Sequence, residues 1–150
     1  MAPDLRPCCQ QALLDHWAVC DARREDPPTI PEPEVRAVRY EVSCLPETHP
    51  DADMFTLIVE YRGEGRWAVT QRGASFAADG NRSWGSEWPG DKEPATDEEI
   101  AAANQAHDNW LARHRFDEQT ARALAGRLAP TLQYRGYTVA DALAQEESDA

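Results

Sequence analysis

The chain has 150 residues, and 15 Lys and Arg against 27 Asp and Glu give it a formal net charge of −12. This length is typical of a single domain built around one hydrophobic core. A charge of this sign repels phosphate, and no run of basic residues flanked by aromatic residues offers a local basic groove. The sequence therefore argues against direct binding of DNA or RNA and against binding to anionic membranes.

Targeting and membrane-spanning patterns do not stand out in the sequence. The longest apolar stretch, about Met54 to Tyr61, is far shorter than the ~20 residues needed to cross a bilayer. The N-terminus lacks the basic start and apolar run of a secretory signal. We therefore expect a cytoplasmic protein whose four cysteines are thiols or metal ligands and do not form a disulfide framework.

The first predicted element is a helix over residues 7–24. Pro7 suits a first helical turn, and Cys9, Leu13 and Cys20 recur with helical spacing on one face. Residues 25–34 then carry four prolines, which remove backbone donors and force an extended course. This segment is predicted to be a stiff connector.

A period of two over residues 35–88 predicts an antiparallel meander of about four to five strands. Three apolar alternations suggest its first strands: Val38, Tyr40, Val42 and Cys44; then Phe55, Leu57, Val59 and Tyr61; then Trp67 and Val69. Turn residues separate them at Gly63-Glu64-Gly65, at Gly73 and at Asp79-Gly80-Asn81. Cys44 is interpreted as a core residue that continues the first alternation.

Residues 96–145 are predicted to form two to three helices. Thr96 and Glu99 have the spacing of a capping box, a second helix is expected from Asp117, and Thr138 with Asp141 resembles the start of a third. The order of elements predicts a single α+β domain over 1–150, in which the N-terminal helix and the C-terminal helices pack on an antiparallel sheet.

The densest group of candidate metal ligands is Cys8, Cys9, His16 and Cys20. Thiolate and imidazole suit Zn²⁺, and His16 lies one helical turn from Cys20. Cys9 and His16, however, would be ~10 Å apart along a helix, and the spacing does not match the usual Cys-x₂₋₄-Cys knuckle. The alternative is that the cysteines are small apolar residues of a buried stripe.

Catalytic signatures are weak in this sequence. Cys8 or Cys9 near a helix start could be a reactive thiol, but no base stands near it in the sequence. His107 and His114 are too far apart on a helix to share an ion, and Asp51 and Asp53 beside His49 are typical of a polar loop. The sequence therefore leans towards a non-enzymatic protein with no cofactor, or with Zn²⁺ alone.

Trp84 and Trp88 lie in a stretch rich in glycine and proline, and they are the predicted partner-binding residues. The alternative is that they close the end of the core. A different hypothesis rests on the acidic stretches near 25–34, 47–53 and 87–99 and at the C-terminus, which could act as a decoy for a nucleic-acid-binding protein. Their position in connectors is equally typical of solubilising loops.

Four segments of the sequence resemble those of a known group of proteins. They are Cys8-Cys9 with His16 and Cys20, Ser43 to Asp53, Gly65-Arg-Trp-Ala-Val69, and Trp110 to Asp117. Together they resemble small acidic uncharacterised proteins of actinomycetes and their phages or mobile elements. The resemblance implies only a cytoplasmic accessory role. We therefore expect a protein-interaction module with an unknown protein partner, or one that self-associates into a homo-oligomer; a zinc-stabilised domain and an acidic decoy are the alternatives.

Overall fold

The computed structural model describes residues 26–85 and 92–149, so the predicted helix over 7–24 lies outside the described residues. The chain divides into two units, Met1–Arg36 and Ala37–Ala150. The described part of the first unit, residues 26–36, is exposed and has no regular secondary structure. This agrees with an extended course imposed by its prolines.

The second unit contains a five-stranded antiparallel sheet in the order β1-β2-β3-β4-β5. Its strands are β1 (Arg39–Ser43), β2 (Thr56–Tyr61), β3 (Trp67–Gln71), β4 (Ala74–Phe76) and β5 (Arg82–Ser83). Every strand pairs with its neighbour in sequence. The predicted meander is confirmed.

Strand register gives the sheet two distinct faces. Tyr40 is opposite Val59, and Val59 is opposite Val69, so these three side chains share one face. The buried Leu57 and Val59 are flanked in sequence by the less buried Ile58 and Glu60. The apolar residues that alternate in the sequence of β2 thus lie on the face of the sheet that forms the core.

Three helices follow the sheet: α1 (Asp97–His114), α2 (Glu118–Leu128) and α3 (Val139–Asp149). Each starts where the sequence predicts. Thr96 and Glu99 form a complete capping box, Asp117 accepts from Thr120 N at 2.8 Å, and Thr138 and Asp141 bond each other's backbone N–H. None of the helices in the described ranges is both long and apolar enough to cross a membrane.

Helices α1 and α2 contact opposite faces of the sheet. Residues of α2, including Leu124, join the core with Val59 and Val69. On α1, the buried Trp110 instead donates to Ser83 Oγ at 2.8 Å, and Ser83 is paired through Ser75 with the face opposite Val69. The α+β class with helices on the sheet is therefore confirmed for the described residues.

Two features differ from the sequence expectations. Cys44 is exposed, because β1 ends at Ser43 and the chain bends away before the alternation reaches it. A short ribbon of β6 (Gln133–Tyr134) and β7 (Tyr137–Thr138) lies between α2 and α3. The sequence reading did not predict this ribbon.

Candidate interaction cleft

A cleft of about 350 Å³ lies at the end of β3 from which the chain turns into β4. We call it the Trp84 cleft. Its lining combines apolar, amide and guanidinium groups: Met54, Gln71, Arg72, Arg82, Trp84, Gln133 and Tyr134. These residues come from four separate stretches of the chain, so only the folded protein brings them together.

Two similar hairpin turns place arginines at this cleft. Arg72 and Gly73 connect β3 to β4, and Arg135 and Gly136 connect β6 to β7; all four have positive φ, as two-residue hairpins of type I′ require. The guanidinium carbons of Arg72 and Arg135 lie 5.8 and 5.3 Å from the centre of the Tyr134 ring. Both arginines are thus within cation–π distance of one exposed aromatic ring.

Trp84 is 73% exposed although it is the bulkiest side chain of the cleft lining. Its indole lies against the turn between β3 and β4, since a Cβ added to Gly73 would be 3.6 Å from Trp84 Cζ3. A tryptophan usually buries most of its surface. Trp84 therefore presents an aromatic face to solvent and does not close the end of the core.

A buried amide organises the arginine side of the cleft. Gln71 is 5% exposed, and its Nε2 donates to Met54 O at 2.7 Å. Its Oε1 accepts from Arg82 Nη1 at 3.1 Å. Gln71 thus fixes the position of an otherwise exposed guanidinium.

The charge of the cleft is opposite to that of the chain. Among the residues that the structure describes, no carboxylate lines the cleft, and Arg72, Arg82 and Arg135 form no ion pair. Other arginines do find carboxylate partners: Arg36 with Glu34, Arg39 with Glu41, Arg62 with Glu60, and Arg122 with Glu118. In a chain with 27 acidic and 15 basic residues, the described residues of the cleft thus carry positive charge and no carboxylate.

A second cavity, of about 510 Å³, lies around His49, Asp51, Met54, Tyr137 and Glu146. His49 is buried, its Nδ1 accepts from Asp51 N at 3.0 Å, and its Nε2 is 3.0 Å from Ala142 O. Because a carbonyl can only accept, Nε2 carries the proton. Both ring nitrogens are thus occupied, and His49 ties its loop to α3.

Tyr137 completes the polar side of the second cavity. Its hydroxyl lies 2.7 Å from Gln145 Oε1 and 3.2 Å from Asp51 Oδ2. Burial, together with the hydrogen bond to Asp51, raises the pKa of the Tyr137 hydroxyl. The tyrosine therefore stays protonated and acts as a hydrogen-bonding strut at neutral pH.

The predicted metal ligands Cys8, Cys9, His16 and Cys20, and the predicted anchor Trp88, lie outside the described residues. In the part of the chain that is described, no group of three or more His, Cys, Asp or Glu side chains could hold a metal ion.

The two histidines of α1 have different environments. His107 is exposed, whereas His114 is buried and its Nδ1 lies 2.7 Å from Trp110 O. The His114 ring stacks on Trp110 with centroids 4.5 Å apart. His114 therefore belongs to the packing of α1, whereas His107 lies at the surface with its ring 6.3 Å from that of Trp110.

No protein-family model matches this chain, and neither curated proteins nor solved structures show a significant match to it.

The sequence reading singled out Trp84 but missed the arginines and Tyr134 beside it. These arginines form no cluster along the chain: the fold brings Arg72 and Arg82 into one cleft and places Arg135 beside Tyr134. One signal was present: the dipeptide Arg-Gly occurs three times between short β-forming stretches, at 62–63, 72–73 and 135–136. That pattern is typical of tight hairpin turns.

Proposed function

We propose that this protein is an interaction module that docks a partner protein at the Trp84 cleft. The observation that carries the proposal is the 73% exposure of Trp84 beside arginines without ion-pair partners among the described residues. Tryptophan, tyrosine and arginine are the residue types that dominate binding energy at protein interfaces. Here all three occur in one cleft.

The rigidity of the surroundings supports the same proposal. Trp84 follows β5 and rests on the turn at Gly73, while Arg82 is held by the buried Gln71. Side chains that are ordered before binding lose less conformational entropy when a partner docks. The cleft thus offers an aromatic anchor and a positioned charge on a preformed support.

Co-purification from the native cell tests this function. The tagged wild-type chain is compared with Trp84→Ala and with a matched control, Ile100→Ala, which truncates an exposed apolar residue of α1. A protein retained by the wild type and the control but lost from Trp84→Ala is the expected result. A partner that Trp84→Ala retains equally would contradict the proposal, as would the absence of any partner together with a monomeric wild type in sedimentation.

A further inference from the structure

We infer that the Trp84 cleft recognises an acidic protein segment, with an apolar side chain of that segment on Trp84 and its carboxylates on the surrounding arginines. This inference rests on the proposed function and adds the chemistry of the partner. It assigns Arg72, Arg82 and Arg135 as the residues that bind the carboxylates of that segment.

The distribution of charge in the chain favours a partner that supplies carboxylates. The chain has nearly two acidic residues for every basic one, yet among the described residues none of these acids pairs with the three arginines. Arginine presents a planar fork of donors that matches a carboxylate with two parallel hydrogen bonds. A carboxylate supplied by another protein would therefore meet guanidinium groups that have no ion pair to break with the described part of the chain.

The mixed lining of the cleft favours a segment that has both acidic and apolar side chains. Trp84, Tyr134 and Met54 provide apolar surface, while Gln71 and Gln133 add amide groups to the lining. Of these amides, Gln71 is already engaged with Met54 O and Arg82. Gln133 is exposed and can bond the backbone of a bound segment. This arrangement fits alternating acidic and apolar side chains.

The same geometry disfavours a nucleic acid. Proteins that hold single strands use a basic groove that follows the backbone over about 4–16 nucleotides. This cleft is about 350 Å³, with two arginines in its lining and a third, Arg135, next to the Tyr134 ring. The net charge of −12 repels a polynucleotide more strongly than a short peptide, because the repulsion grows with the charge of the ligand. An acidic peptide is therefore the favoured occupant.

Titration followed by NMR tests the inference. The probe is the peptide acetyl-Glu-Glu-Phe-Glu-Glu-amide, and its uncharged counterpart has glutamine in place of each glutamate. The readout is the indole N–H signal of Trp84, assigned with Trp84→Phe. We expect a saturable shift with the acidic peptide, weakened by added salt, and a much smaller shift with the glutamine peptide.

Charge variants locate the binding site. Arg72→Gln combined with Arg82→Gln is expected to weaken binding by about tenfold, since hydrogen bonds to charged groups are lost. Arg66→Gln is the matched control, because Arg66 is exposed at the opposite end of β3. Equal binding of the glutamine peptide, an equal loss in Arg66→Gln, or tighter binding of octathymidylate would each overturn the inference.

The two proposals fail separately. If a native partner requires Trp84 but the acidic peptide does not shift its signal, the acidic chemistry is wrong and the interaction surface stands. If the native partner is retained by Trp84→Ala, the surface itself is wrong, whatever the peptide does.

Discussion

The Arg82 guanidinium donates a 3.1 Å hydrogen bond to Gln71 Oε1, and the amide of this buried glutamine donates at 2.7 Å to Met54 O. This relay joins β5, β3 and the 3₁₀ turn that precedes β2. The buried Gln71 side chain thereby holds the exposed Arg82 guanidinium in place at the cleft.

Replacing Gln71 with leucine should therefore destabilise the fold. The change removes both hydrogen bonds and leaves Met54 O without this donor, at a cost of about 1–3 kcal/mol in the free energy of unfolding. Urea denaturation measures it. The control Gln119→Leu changes an exposed glutamine of α2 and should stay within about 0.5 kcal/mol of the wild type; equal stability of Gln71→Leu would contradict the relay.

Truncation of Trp67 should destabilise the fold far more than truncation of Trp84. Trp67 is 5% exposed and lies between Tyr40 and Tyr61, with ring centroids at 5.6 and 5.4 Å, so Trp67→Ala should cost about 3–5 kcal/mol. Trp84→Ala should change the free energy of unfolding by about 0.5 kcal/mol or less, since most of the ring is already in water. Should Trp84→Ala prove as destabilising as Trp67→Ala, Trp84 would be a core residue and not an anchor.

The sheet could be predicted from the sequence because its signals are local. Alternating residues such as Leu57 and Val59 face the core, as their spacing predicts, and the helix caps at Thr96 and Asp117 are side-chain hydrogen bonds within a few residues. The prediction that Cys44 is a core residue was wrong, because the alternation of a strand does not show where the strand ends. That boundary depends on pairing with β2, which stops at Thr56.

The cleft could be predicted only in part. The glycine- and proline-rich setting of Trp84 suggested an exposed ring, but strands of two residues such as β6 and β7 are too short to show a period. Without that ribbon, Tyr134 and Arg135 cannot be placed near Arg72. The charge of the cleft is thus a property of the tertiary fold and is opposite in sign to the charge of the whole sequence.

Acid should weaken the starts of the three helices together. Backbone N–H groups of Ala95 and Thr96 lower the pKa of Glu99, and the N–H and hydroxyl of Thr120 lower the pKa of Asp117. The N–H and hydroxyl of Thr138 do the same for the pKa of Asp141. Because each pKa is lower in the folded chain, the stabilisation is complete above the unfolded-state pKa and is lost as the pH falls through the folded-state pKa.

Urea unfolding at a series of pH values below neutrality measures this loss. In the double variant Asp117→Asn, Asp141→Asn, asparagine keeps the capping geometry but cannot titrate, so stability should fall less steeply with acid than in the wild type. An unchanged slope would mean that these caps do not contribute to the acid response.

The zinc hypothesis makes a separate prediction for Cys8, Cys9, His16 and Cys20. A closed four-ligand site retains about one equivalent of zinc during purification without added metal. Replacing Cys20 with serine should remove that zinc, whereas Cys44→Ser, outside the cluster, should not. Less than about a tenth of an equivalent in the wild type would end the hypothesis, since structural sites bind zinc tightly.

His49 should be neutral with its proton on Nε2, because Nδ1 accepts from Asp51 N while Nε2 faces Ala142 O, both at 3.0 Å. Long-range ¹⁵N–¹H correlation of the imidazole ring distinguishes this tautomer from the Nδ1–H form. His49→Ala should cost about 2–4 kcal/mol of unfolding free energy, since it empties a buried site and strands two backbone groups. The exposed His107 is the matched control, and His107→Ala should be nearly neutral. An Nδ1–H tautomer, or equal effects of the two substitutions, would show that His49 does not hold the loop against α3.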